Sequence, residues 1–191
     1  MSEALAILLT TIFVNNIVTI QFLGLCPLFA ASRKFDTAIA MAVATTFLLT
    51  LASAASYIVE TYVLHPLDLQ YLRIIAFVIL ILLLVRSFEY IIRATQPRLY
   101  AIHEIIIPLI TTNCALLGVV LINIREAQSF LHSIIFGFSA AIGFSLLLII
   151  FAAILEQQRE TAIPTIFRGA AINMITAGLI SLAFMGFVGM D

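Results

Sequence analysis

The chain has 191 residues, of which 63% are hydrophobic and only 10% are charged, with a formal net charge of −1. Because a soluble domain carries roughly 25% charged residues, this composition excludes a water-soluble enzyme domain. The sequence also lacks the basic stripe and the glycine-rich phosphate loop that nucleic-acid-binding and nucleotide-binding proteins use. The chain is therefore expected to lie in a lipid bilayer.

Six apolar runs follow one another along the chain, separated by short polar breaks. Each is at least as long as the roughly 20 apolar residues that one crossing of the bilayer requires. The six predicted spans are Ala4–Ala31, Thr37–Leu64, Leu69–Arg93, Leu99–Ile124, Phe130–Leu155 and Phe167–Val188. We therefore predict an all-α integral membrane protein with six transmembrane helices, forming a single polytopic domain over residues 1–191.

Basic residues are unevenly distributed between the two sides of this arrangement. Only Arg73 and Arg125 lie on one side. The other seven lie in or beside the first, third and fifth loops: Arg33, Lys34, Arg86, Arg93, Arg98, Arg159 and Arg168. Because cytoplasmic loops of membrane proteins carry an excess of lysine and arginine, the side with seven is predicted to be cytoplasmic. Both termini then face outward.

The two halves of the chain, approximately 1–97 and 98–191, match at an offset of 97 residues. The matching pairs are Asn16 with Asn113, Ala44 with Ala141, Phe47 with Phe144 and Leu82 with Leu179. Three spans separate the members of each pair, so a repeat would place the halves in opposite orientations. Inverted repeats place their sites near the membrane midplane, on interrupted helices. We therefore predict two inverted three-helix repeats with interrupted first and fourth helices.

Polar residues in the first and fourth spans mark where such a site would lie. Asn16 in the first span, and Thr112 and Asn113 in the fourth, accompany proline and glycine residues that loosen a helix. At about 1.5 Å of rise per residue, Asn16 and Asn113 both fall near the middle of the bilayer. These side chains are either hydrogen-bonding contacts between packed helices or the support of a site at a broken helix.

The two cysteines, Cys26 and Cys114, lie in the same two spans. A free cysteine often behaves as a small buried hydrophobic residue. The alternative is that both are ligands, because each lies in a polar or strained turn, Leu-Cys-Pro or Thr-Asn-Cys. A [2Fe–2S] cluster requires four ligands, so this chain supplies only half a site. On an unbroken helix Cys26 would lie about 15 Å beyond Asn16, so one span must bend to bring the cysteines together.

Charged residues inside the spans are few. Arg86 and Glu89 are three residues apart, so they can pair on one side of a helix. We predict an anchoring pair near the cytoplasmic surface, with an ion path as the alternative. Glu60 lies near a span end, where its carboxylate can reach water.

Five strings of residues resemble one family of membrane proteins. They are Val-Asn-Asn at 14–16, Phe-Leu-Gly-Leu-Cys-Pro at 22–27, Pro-Leu-Ile-Thr-Thr-Asn-Cys-Ala at 108–115, Gly-Phe-Ser-Ala-Ala-Ile-Gly-Phe-Ser at 137–145 and Ile-Thr-Ala-Gly-Leu at 175–179. From about residue 10 to its end, the chain resembles the RnfA (RsxA) family. These are membrane subunits of the Rnf electron-transport complex, homologous to the NqrD and NqrE subunits of the sodium-pumping NADH:quinone reductase.

The resemblance implies a component of an ion-translocating oxidoreductase, in which electrons pass between reduced ferredoxin and NAD while sodium ions or protons cross the membrane. It implies that Cys26 and Cys114, with two cysteines of the related subunit RnfE, hold a [2Fe–2S] cluster within the membrane. It also implies the Rnf subunits B, C, D and G as partners, and the bacterial inner membrane as location, with periplasmic termini. No side chain is predicted to act as a general acid, base or nucleophile.

Two other functions are compatible with the same residues. A small secondary transporter would bind an ion or solute at the broken helices through Asn16, Thr111, Thr112 and Asn113, since interrupted inverted repeats also occur in transporters. A purely structural subunit would contain the cysteines as inert residues. The cysteine pair separates these functions, because a transporter has no need of both thiols.

Overall fold

The computed structural model describes residues 8, 10–14, 16–31, 35–64, 70–95, 109–111, 113–126, 129–160 and 169–188. Within these ranges every regular element is helical. The α-helices are α1 (Ile17–Gln21), α2 (Leu25–Ala31), α3 (Phe35–Val59), α4 (Arg73–Thr95), α5 (Cys114–Glu126), α6 (Phe130–Glu160) and α7 (Ala170–Val188). Short π-helical segments occupy Thr10–Val14 and Glu60–Leu64, and a 3₁₀ turn occupies Gln70–Leu72. The predicted all-α class is confirmed over this part of the chain.

Three helices are long and apolar enough to cross a membrane: Phe35–Leu64, Arg73–Ile91 and Phe130–Gln158. They coincide with the second, third and fifth predicted spans. The apolar segments Leu109–Arg125 and Ala171–Gly186 are shorter and fall within the fourth and sixth. The arrangement of six crossings stays a prediction.

The long helices α3 and α6 pack against each other and run antiparallel. Ser145 of α6 contacts the first half of α3, where its hydroxyl donates to the carbonyl oxygen of Ala42 at 3.1 Å and lies 2.9 Å from the hydroxyl of Thr46. Ser133, near the start of α6, instead donates to the carbonyl oxygen of Ser53, late in α3, at 2.8 Å. Residue numbers therefore rise along α3 as they fall along α6.

Small residues allow α3 and α6 to approach closely. A Cβ atom added to Gly137 would lie 2.3 Å from the Ser53 hydroxyl and 3.3 Å from the Leu49 carbonyl oxygen. Asn123 of α5 also donates to the Ser53 carbonyl, at 3.2 Å. Small residues and interhelical hydrogen bonds of this kind hold helices together in lipid, where apolar burial gives no advantage. The large, fully buried side chains around this contact include Met41, Leu48, Leu49, Phe77, Leu148 and Phe151.

The outer helices α4 and α7 expose much of their apolar surface. Exposed side chains on α4 include Ile74, Ile75, Ile79, Leu83 and Ile91. Those on α7 include Met174, Ile175, Leu179, Leu182 and Met185. Continuous apolar patches of this kind mark contact with a membrane or with other proteins. They agree with the membrane location that the composition predicts.

The helix starts follow the offset of 97 residues found in the sequence. Ile17 begins α1 and Cys114 begins α5, 97 residues later; Arg73 begins α4 and Ala170 begins α7, also 97 residues later. The equivalent long helices α3 and α6 begin 95 residues apart. Inverted halves would place α3 and α6 antiparallel, as they are here.

Two ion pairs join charged residues of the described helices. Arg86 and Glu89 pair within α4 at 3.0 Å, so this predicted pair is confirmed; the Arg86 side chain is 80% exposed and that of Glu89 only 10%. The expectation that the Glu60 carboxylate reaches water on its own is corrected, because it pairs with Arg73 and its side chain is 19% exposed. This second pair connects the end of the α3 segment to the start of α4, which brings together two charges from opposite sides of one loop.

Candidate functional site at two broken helices

The first predicted span is interrupted. Asn16 precedes α1 in an extended conformation, and its Oδ1 accepts a hydrogen bond from the Val18 N–H at 3.1 Å. After α1, Phe22 adopts a left-handed φ of +53° and Gly24 a φ of +86°. These two residues end the helix before α2 begins. The predicted interruption of the first helix is confirmed and falls at residues 22–24.

The fourth predicted span is interrupted at Asn113. Residues 109–111 are helical, Asn113 is not, and α5 begins at Cys114. Asn113 Oδ1 accepts a hydrogen bond from the Ala115 N–H at 3.0 Å, the same bond to the second following residue that Asn16 makes. The two asparagines therefore cap helices, a position that asparagine favours. Thr112, predicted as a supporting residue, lies outside the described residues.

The two breaks are in direct contact. The Gly24 backbone N–H donates to the Cys114 Sγ at 3.1 Å. A Cβ atom at position 24 would lie 2.8 Å from the Phe144 ring, 3.0 Å from the Ala115 Cβ and 3.5 Å from Asn113 Oδ1. Glycine alone combines such close approach with an unstrained positive φ. The contact therefore depends on the residue type at position 24.

One segment of α6 supports both breaks. A Cβ atom at Gly143 would lie 3.0 Å from the Asn16 Nδ2 and 3.4 Å from the Ile12 Cα. The next residue, Phe144, is buried and lies against Gly24 at the other break. These residues belong to the string at 137–145 that contributed to the family resemblance. Their role is to fit closely against the backbone of the interrupted segments.

Cys26 and Cys114 are both free thiols on exposed residues. The interpretation of the cysteines as buried hydrophobic residues is therefore wrong. Gly24 touches the Cys114 sulfur, and the Cα atoms of Gly24 and Cys26 are at most about 7 Å apart because only two residues separate them. The break thus places both predicted ligands in one region of the surface, as the bend expected from the sequence requires.

The donor set in this region matches half of a cluster site. Within the described part of the chain, no three His, Cys, Asp or Glu side chains come together as a metal site. Two accessible thiols supply two of the four ligands that a [2Fe–2S] cluster needs. Cys114 is also the first residue of α5, where unpaired N–H groups and the helix dipole favour negative charge. The residues fit the group, provided that a second subunit contributes the other two ligands.

The sequence from residue 4 to residue 191 matches the family described as "Rnf-Nqr subunit, membrane protein". The chain belongs to this family. The expected resemblance is thereby confirmed, and with three membrane-length apolar helices the Rnf-Nqr subunit is a membrane protein.

Several RnfA proteins, each named as belonging to an "ion-translocating oxidoreductase complex", are similar to this Rnf-Nqr subunit over its whole length. The protein of Pseudoalteromonas translucida (strain TAC 125) is 54% identical, with 100% of this chain and 98% of that protein covered. The protein of Vibrio atlanticus (strain LGP32) is 54% identical, with 100% and 99% covered. The protein of Vibrio cholerae serotype O1 (El Tor Inaba N16961) is 53% identical, with 100% and 98% covered.

Two features of this Rnf-Nqr subunit were missed from sequence. The donation from the Gly24 N–H to the Cys114 sulfur is a backbone contact, and its only signal was a glycine two residues before Cys26. The pairing of Glu60 with Arg73 had a clearer signal, since opposite charges stand at the two ends of one loop. In both cases the partner is distant in sequence or carries no side chain.

Proposed function

We propose that this Rnf-Nqr subunit is a membrane component of an ion-translocating oxidoreductase complex of the Rnf type, in which it holds half of an intramembrane [2Fe–2S] cluster and relays electrons across the membrane. The observation that carries the proposal is the contact between the two broken helices, which exposes Cys26 and Cys114 in one region. The names of relatives 53–54% identical over the whole chain support membership in such a complex.

Cys26 and Cys114 supply two thiolate ligands in this proposal. A homologous RnfE-like subunit supplies two further cysteines, because four ligands are required and the described residues offer no third. The exposure of both thiols supports a shared site, since a ligand that belongs to two subunits must lie at the surface of each. Other Rnf subunits, B, C, D and G, complete the path between ferredoxin and NAD.

A bound [2Fe–2S] cluster takes up and releases one electron at a time. The residues of this chain bind and orient it and control its surroundings. The Gly24 N–H stabilises negative charge on the Cys114 sulfur, because hydrogen bonds to cluster sulfurs influence the potential. Asn16 and Asn113 fix the ends of the interrupted helices. Phe144 fills the space beside Gly24 and excludes water from it.

The arrangement in the membrane belongs to the same proposal. We infer six spans in two inverted three-helix repeats, in the bacterial inner membrane, with both termini periplasmic. The support is the offset of 97 residues between helix starts and the antiparallel packing of α3 and α6. Electron transfer through the complex would be coupled to translocation of sodium ions or protons.

The contacts of Asn16 argue against the alternative of a secondary transporter. Its Oδ1 accepts from the Val18 N–H, and its Nδ2 donates to the Ile12 carbonyl oxygen at 3.1 Å. Both ends of this buried amide are therefore bonded within its own segment. A transporter would need such groups to face a bound ion or solute, so we favour electron transfer.

Serine variants of the cysteines in the assembled complex test the proposal. Cys26→Ser and Cys114→Ser change side-chain size little, so each complex should assemble but lose iron and the electron paramagnetic resonance (EPR) signal of one cluster. Electron transfer through the complex should fail as well. Ser139→Ala is a matched control, because Ser139 bonds only the Ile135 carbonyl oxygen of its own helix, and it should keep the cluster. Full iron content and an unchanged spectrum in the double serine variant would refute the proposal.

A further inference from the structure

The amide of Asn113 is buried and only half used. The residue is 4% exposed, and its Oδ1 accepts the capping bond from the Ala115 N–H at 3.0 Å. Its Nδ2 is also buried but has no hydrogen-bond partner. The cap determines which end of the amide is which, since exchanging the two atoms would set one N–H against another. Asn113 therefore holds an unpaired donor.

Asn16 shows what this amide would do if it served only to cap a helix. It makes the same capping bond, and its Nδ2 donates to the Ile12 carbonyl oxygen four residues earlier. The residue at the corresponding position before Asn113 is Leu109, but the Asn113 Nδ2 makes no such bond. Leaving a buried donor unpaired is costly. The two asparagines thus differ at the one that adjoins a cysteine.

The Asn113 amide lies beside the contact between the two breaks. Its Oδ1 is 3.5 Å from the position of a Cβ atom on Gly24, and the Gly24 N–H donates to the sulfur of Cys114, the residue after Asn113. One backbone donor here already points at sulfur. An additional acceptor that the chain itself does not provide would satisfy the Asn113 amide.

We propose that the Asn113 Nδ2 donates a hydrogen bond to a sulfur atom of the [2Fe–2S] group held by Cys114, next to the Gly24 N–H, and that this bond raises the reduction potential of the cluster. The inference rests on the proposed function. Reduction adds one negative charge that spreads over the sulfur atoms, so a donor stabilises the reduced form more than the oxidised form. Asn113 thereby sets how readily the cluster accepts an electron.

The test is a redox titration, followed by EPR, of the assembled complex carrying Asn113→Ser. Serine also caps helices well, so this variant keeps the capping acceptor and removes the amide donor. We expect unchanged iron content, a cluster signal of normal amplitude and a midpoint potential more negative than that of the unmutated complex. Asn16→Ser is the matched control, since it makes the same substitution at the equivalent cap, and it should leave the potential unchanged.

The outcomes separate this inference from the proposed function. A cluster whose potential is unchanged by Asn113→Ser, or shifted equally by Asn16→Ser, would overturn the role of the amide and leave the cluster assignment intact. Absence of any such cluster from the unmutated complex would refute the proposed function itself. If Asn113→Ser lowers the yield of complex, the titration is made on the assembled fraction and repeated with Asn113→Thr, which also provides a capping hydroxyl.

Discussion

The backbone N–H of Gly24 donates a hydrogen bond to the Sγ of Cys114 at 3.1 Å, across 90 residues of sequence. The bond joins the two interrupted helices at the places where each is interrupted. Gly24 reaches this position with a φ of +86°, which other residues adopt only with strain. The arrangement of the two cysteines therefore depends on a backbone conformation at a third residue.

Gly24→Ala should weaken both the fold and the cluster site. A positive φ costs a residue with a Cβ atom about 1–2 kcal/mol, and the new methyl group would press against Phe144 and Ala115. We expect a lower Tm of the purified protein and a lower iron content of the assembled complex. Gly178→Ala is the control, because a Cβ atom there meets nothing within 4 Å and alanine favours a helix. Equal Tm values for the two variants would contradict this account.

A disulfide should form between α3 and α6 in the variant Thr46→Cys/Ser145→Cys. The two hydroxyl groups lie 2.9 Å apart, so these side chains already meet, and a disulfide needs Cβ atoms about 3.5–4.5 Å apart. The experiment uses a background of Cys26→Ser and Cys114→Ser, with a protease site inserted between residues 96 and 100. After oxidation and cleavage, the two fragments should separate on a gel only when reduced.

Phe47→Cys/Ser145→Cys is the control for this disulfide. Phe47 is 56% exposed and stacks on Phe88 of α4, so its side chain points away from Ser145. Efficient bridging from position 47, or none from position 46, would show that α3 and α6 pack in another way.

Arg73→Gln should destabilise the protein through the loss of its pairing with Glu60. The pair is neither fully buried nor fully exposed. Its loss should therefore cost about 1–3 kcal/mol, between the values typical of exposed and of buried ion pairs. Denaturation of the purified protein measures this cost. The double variant Glu60→Gln/Arg73→Gln leaves no unpaired charge and should recover part of the stability; a double variant less stable than Arg73→Gln would contradict the interpretation.

The proposed orientation predicts where a reporter that is active only in the cytoplasm will work. Fusion after Arg33 or Arg98 should give strong activity, because both lie on the side with seven of the nine basic residues. Fusion after Asp191 should give none. The reverse pattern would require both termini to be cytoplasmic.

Composition and local pattern were enough to predict much of this protein. The long apolar runs predicted the three membrane-length helices, because an element buried in lipid needs continuous apolar sequence. Proline, glycine and asparagine in the first and fourth spans predicted the interruptions, since their effect on a helix is local. The offset of 97 residues anticipated the matching helix starts. The strings around the two cysteines identified the family.

Only the tertiary structure decided how the interrupted segments meet. Sequence could not show that Gly24 donates to the Cys114 sulfur, that both cysteines are exposed or that Glu60 pairs with Arg73. Nor could it distinguish Asn16, whose amide is fully bonded, from Asn113, whose amide keeps a free donor. Each of these depends on which helix faces come into contact, and side-chain packing between residues far apart in sequence determines that.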